Sequence, residues 1–113
     1  MSKRFDKDYL KDALEGATRV TDYCKNISFE QFLIDTKTQD AVVRNIEIIG
    51  EAVKNVSEGL KTQHAAIPWK SIAGMRDRLI HDYFGVNWDV VWNVVIKDIP
   101  DLTREIEKII SSL

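Results

Sequence analysis

Two prolines and five glycines are all that punctuate an apolar pattern recurring at steps of three and four along 113 residues. That period is the mark of amphipathic helices, and no alternating strand pattern competes with it. Leu10, Ala13, Leu14, Ala17, Val20, Cys24 and Ile27 make the first stripe. Ser28-Phe29-Glu30-Gln31 then reads as a capping box, with the serine hydroxyl accepting from the Gln31 amide and Gln31 reaching back. A longer pattern through Val42, Ile46, Ile49, Val53 and Val56 fades near Ser57-Glu58-Gly59, where glycine offers a left-handed stop. Residues from about Lys61 to Ile67 read as the one sizeable loop. Pro68 suits the first turn of the next helix, which carries Ile72, Met75 and Leu79 to about Phe84, with Gly85 as its stop. Asn87 is placed to cap a segment bearing Trp88, Val91, Trp92, Val95 and Ile99. Pro100 predicts a break or kink before the last stripe, Leu102, Ile106, Ile109, Ile110 and Leu113. The expected fold is a single all-α domain over residues 1–113, an up-and-down bundle of four or five helices.

Composition narrows the function classes. Apolar residues at 44% and charged residues at 30% exclude a disordered chain and a fibre. No apolar stretch approaches the roughly 20 residues a bilayer span needs. The N-terminus turns acidic at Asp6 and Asp8 before a signal-peptide core can form, so a cytoplasmic protein with no membrane contact is expected. Cys24 stands alone, which excludes an internal disulfide, and its place on an apolar stripe reads as an inert core thiol. His64 and His81 are too far apart for zinc-ligand spacing, so no metal site is expected, and His64 reads as surface. The tryptophans Trp69, Trp88 and Trp92 read as core rather than as stacking platforms for a ligand. A net charge of −2 argues against a broad grip on nucleic acid but leaves room for a small basic cleft. The apolar content is generous for so small a bundle, and a two-fold dimer is the commonest way to cover it.

The chemically loaded stretch is Arg76-Asp77-Arg78-Leu79-Ile80-His81-Asp82-Tyr83. Histidine can take and give a proton near neutrality, and arginine holds phosphoryl oxygens with a permanent, planar charge. The pair is a minimal kit for cutting RNA without a metal: a base for the ribose 2′-hydroxyl and a cation for the charged transition state. Arg76 and His81 nevertheless fall about 140° apart on a straight helix, whereas Arg76 and Tyr83 share a face. Either the helix ends or distorts near His81, or two copies of the motif face each other across a dimer, which also builds a positive groove from an acidic chain. Asp77 is four residues from His81 and can fix its tautomer. Spacing alone favours a blander reading, a solvated face on which Arg78 pairs with Asp82 and Asp77 with His81.

These eight residues match the R-x4-H-x-Y motif, and the chain resembles the HepT-like branch of the HEPN superfamily. Gln39-Asp40-Ala41-Val42, Asn45-Ile46, Ile49-Gly50-Glu51-Ala52, Ile67-Pro68-Trp69, Gly74-Met75-Arg76 and Asp98-Ile99-Pro100-Asp101-Leu102 extend the likeness over nearly the whole chain. The resemblance implies a HEPN-like helical homodimer, the toxin of a type VII toxin–antitoxin pair. It implies a metal-independent endoribonuclease site in the dimer cleft, with Arg76 and His81 catalytic and Asp77 and Arg78 supporting. It implies a nucleotidyltransferase antitoxin as partner, which moves AMP from ATP onto Tyr83, while the toxin itself needs no cofactor. Two rivals stand beside this reading. One is a non-catalytic nucleotide-binding or docking subunit for a nucleotidyltransferase, in which Arg76 and Arg78 merely hold a phosphate; the acidic charge balance supports it. The other is a plain helical scaffold.

Overall fold

Each of the two long N-terminal helices begins where the sequence supplies a side-chain acceptor. The structure, a computed structural model, describes residues 5–79 and 85–113. Helix α1 (Asp6–Cys24) opens after Phe5, whose backbone N–H donates to Asp8 Oδ2 at 2.9 Å. Its expected stripe is buried at Leu10, Ala13, Ala17, Val20 and Cys24, with Leu14 and Ile27 packed at the margin. The chain turns at Asn26, whose φ of 63° is left-handed. Helix α2 (Phe29–Leu33) carries the capping box: the Gln31 N–H donates to Ser28 Oγ at 3.1 Å and the Ser28 N–H to Gln31 Oε1 at 2.8 Å.

Helix α3 (Thr36–Lys54) restarts at Asp35, which accepts from the Thr38 N–H at 3.0 Å and the Thr38 hydroxyl at 2.6 Å. Gln39 is 93% buried by the complement of its 7% exposure, and its amide donates to the Phe32 and Leu33 carbonyls. Those two bonds fasten the end of α2 to the start of α3 and leave no orphan donor inside. Val42, Ile46, Ile49, Val53 and Val56 are buried as the pattern predicts. Burying each such side chain stabilises the fold by about 1.5–3 kcal/mol relative to exposure. The α1–α3 contact is the most extensive in the molecule, α8 lies on α1, and α5 lies on α3.

Three expectations need correction. The stretch from Lys61 is not loop throughout: α4 (Glu58–Gln63) occupies its first half. Gly59 therefore lies inside a helix rather than ending one, and Ser57 caps that helix by accepting from the Leu60 N–H at 3.3 Å. Asp6 reinforces the cap from α1, accepting from the Ser57 N–H at 2.8 Å. Second, Pro68 is the N-cap and not the first turn, and the helix it introduces is split at Gly74 into α5 (Trp69–Ala73) and α6 (Met75–Leu79). Residues 80–84, where the sequence extends this helix, lie outside the described residues.

Third, Pro100 does not end the helix; the irregularity expected there takes the form of a π turn just ahead of it. Asn87 caps α7 (Trp88–Asn93) as predicted, accepting from the Val90 N–H at 3.2 Å. A π turn over 94–98 then leads directly into α8 (Ile99–Ser112). The Ile99 N–H donates to the Val94 carbonyl, five residues back. A proline ring clashes with the carbonyl four residues before it and has no N–H to offer. One wider turn just ahead of Pro100 absorbs that conflict, so the helix continues. Phe29 and Phe32 of α2 meet Trp88 and Trp92 of α7 at ring-centroid distances of 5.1–5.8 Å; Trp69 is buried as expected, while Trp88 and Trp92 are partly buried against the core. Among the described residues there is no β-strand, and no helix is long and apolar enough to cross a membrane.

Candidate active site

Gly50 sets where the site can form. A Cβ at this position of α3 would stand 3.0 Å from the Ala73 carbonyl oxygen and 3.6 Å from that of Ile72. The missing side chain lets the end of α5 rest this closely on α3, and the turn at Gly74 then starts α6 beside the polar edge of α3. Met75 and Leu79 of α6 are buried at 1% and 0% exposure, which pins the short helix and leaves Arg76 pointing outward.

Arg76 lies on the wall of an open cleft of about 600 Å³ bounded by α1, α3 and α6. Tyr9 and Asp12 come from α1; Arg44, Glu47 and Glu51 come from α3, and Asn55 caps its C-terminal end. The Arg76 guanidinium is 53% exposed and its Nε stands 3.6 Å from Glu47 Oε1. Glu47 also meets Arg44 at 4.0 Å. Such half-exposed pairs contribute little to stability, so a ligand anion can replace Glu47 at small cost. Three carboxylates, from Asp12, Glu47 and Glu51, face two guanidinium groups, from Arg44 and Arg76, so the cleft of one chain is acidic by one charge.

Arg78, two residues on, turns the other way, as a 200° step around a helix requires. Its Nη2 lies 3.4 Å from Asp98 Oδ2 on the π turn, tying α6 to the α7–α8 helix. The two arginines of the motif thus serve different neighbours. Asp77 is exposed and lines a smaller adjoining cleft with Glu47, Glu51 and Lys54. His81, Asp82 and Tyr83 lie outside the described residues, and with them the Asp77–His81 and Arg78–Asp82 pairings. On either side of that segment the chain is clamped: the Asn87 N–H donates to the Leu79 carbonyl at 2.7 Å, and Gly85 adopts a φ of 81° that an L side chain resists.

Glu47, Arg44, Tyr9 and Asp12 escape a reading that follows the motif alone. A signal exists in the spacing Glu47, Glu51, Asn55, a polar row at helical steps beside the buried row of α3. His64 ends α4, and its carbonyl accepts from Trp69 Nε1 at 3.0 Å. Cys24 is buried, and burial followed by the nearby Asp35 carboxylate pushes its pKa up to about 11. A thiol so raised stays protonated and unreactive, in keeping with a core role.

An all-helical protein with an arginine-lined polar cleft is the class these elements define. Residues 13–109 match the family described as Ribonuclease HepT-like. The chain is 50% identical over 107 residues to "Probable ribonuclease HepT" of Thermococcus cleftensis, covering 95% of this chain and 97% of that protein. It is 42% identical over 113 residues to a "Putative RNase" of Methanocaldococcus jannaschii, covering 100% and 93%. A protein of the same description from Caldanaerobacter subterraneus is 44% identical over 104 residues, covering 92% and 93%. No solved structure matches the chain at a significant level. This chain belongs to the HepT-like ribonuclease family.

Proposed function

We propose that the protein is a metal-independent endoribonuclease, the toxin of a type VII toxin–antitoxin pair acting in the cytoplasm, with its site in the cleft of a homodimer. The observation that carries this reading is the half-exposed Arg76 on a polar cleft, within a family match spanning residues 13–109. In the proposed reaction His81 takes the proton of a ribose 2′-hydroxyl, and the freed oxygen attacks the adjacent phosphorus. The bond from phosphorus to the 5′-oxygen breaks, that oxygen collects a proton, and a 2′,3′-cyclic phosphate remains. Arg76 leaves Glu47 and holds the nonbridging oxygens as charge builds on them.

Replacing His81 with alanine is expected to abolish RNA cleavage by the purified protein, and chelator is expected to leave the parent's rate unchanged. Undiminished cleavage by His81→Ala would refute the assigned base. Tyr83 is the proposed acceptor of AMP, delivered from ATP by a nucleotidyltransferase antitoxin. The added phosphodiester and base would repel and block an incoming RNA phosphate. Incubation with that transferase and ATP should raise the intact mass by AMP increments, and Tyr83→Phe should prevent it; AMP found elsewhere on the variant would refute the site. The acidic cleft and the Arg76–Glu47 pair favour one alternative, a non-catalytic docking subunit for the transferase. It predicts tight partner binding and no RNA cleavage by the protein alone.

A further inference from the structure

We infer that a groove lined by Lys54, Lys61 and Lys70 seats the backbone phosphates of single-stranded RNA on the way into the Arg76 cleft. The inference rests on the ribonuclease reading and adds the path its substrate takes. The groove, about 940 Å³, runs beside α4 and α5, and the exposed Pro68 and Ala65 add apolar surface to its lining. It holds three ammonium groups against one carboxylate, Glu58, the reverse of the acidic balance around Arg76. The two share no residue but each adjoins a third cleft. A cleft of about 290 Å³ lies between them, sharing Lys54 and Ala73 with the basic groove and Glu47, Glu51 and Arg76 with the cleft of the motif arginine.

Lys54 and Lys70 are exposed, whereas the Lys61 side chain is 18% exposed, and the local ion pairs are loose. Lys54 meets Glu51 at 3.8 Å and Lys61 meets Glu58 at 3.7 Å, both beyond hydrogen-bond distance. Lys70 is exposed and makes no ion pair with a described residue. Three lysines lining one groove suit a chain of phosphates better than a single anion, and the apolar part of the lining suits ribose and base edges. A chain of net charge −2 repels RNA at long range, so a local run of cations is where a polyanion can first hold. Unpaired RNA is the form expected, since in-line attack by the 2′-oxygen needs a backbone free of the duplex geometry.

Binding of a labelled single-stranded RNA to the full-length His81→Ala protein, titrated at several salt concentrations, tests the assignment. Adding Lys61→Gln and Lys70→Gln together should weaken binding and flatten the log–log salt dependence by about 1.4, from about 0.7 per lost phosphate contact. The Arg replacements at both positions should restore both quantities, which a folding defect would not allow. Lys108→Gln on α8 is the control and should change neither. Affinity and slope unaltered by the Gln pair would overturn the proposal, as would loss of transferase binding with RNA binding intact. A parent protein that binds this RNA without cutting it would retire the ribonuclease reading and leave the role of the groove standing.

Discussion

Asp35 illustrates how much one side chain settles at the residue scale. It caps α3, and the Thr38 hydroxyl, then the Thr38 amide, hold its carboxyl below the ordinary value of 3.8. A carboxylate depressed in the folded state contributes stability above its unfolded value and loses it as pH falls through the folded one. Asp35→Ala should therefore lower the thermal midpoint at neutral pH, and the gap to the parent should narrow in acid. A gap of constant width down to acid unfolding would show that the charge contributes nothing. Glu47 is the residue whose part in the site the motif conceals: it meets Arg76 from another helix, twenty-nine positions earlier in the chain.

Among the helices, the approach of α5 to α3 decides where the motif arginine stands. Gly50→Ala would press a methyl group against the Ala73 carbonyl at 3.0 Å. The strain, about 1–3 kcal/mol, is partly offset by the roughly 1 kcal/mol that alanine gains over glycine within a helix. Stability should fall by about 1 kcal/mol in denaturant titration, whereas RNA cleavage should fall by tenfold or more, because small displacements of a catalytic group cost rate steeply. Full activity in this variant would mean that the position of α6 is not critical. The π turn before Pro100 makes a related point. Without it the proline would end the helix, and α8 would lose the continuous support that buries Ile99, Leu102, Ile106 and Ile109.

For the whole molecule, the proposed shared pocket makes the sharpest demand. Light scattering should give about twice 13.0 kDa. If each pocket draws on both subunits, Arg76→Ala and His81→Ala proteins should each be inactive alone and recover RNA cleavage after mixing and subunit exchange. Random pairing puts about half of the dimers in the mixed form. No recovery, with exchange demonstrated, would place a complete site within each subunit.

Periodicity along the chain was enough to read the helical class, the buried stripes of α1 and α3, and the caps at Ser28 and Asn87, because these depend on neighbours within one or two turns. The motif residues were equally legible as residue types. The extra helix at Glu58–Gln63, the split at Gly74 and the π turn were not, since a short helix has too few turns to show a period and a π turn keeps helical dihedrals on both sides. Nor did spacing reveal that Arg76 faces Glu47 while Arg78 faces Asp98, or that the lysine groove and the arginine cleft adjoin one smaller cleft. Those are relations between elements distant along the chain. Only the way α3, α5 and α6 pack, with Gly50 permitting the contact, brings their charges within a few ångströms of one another.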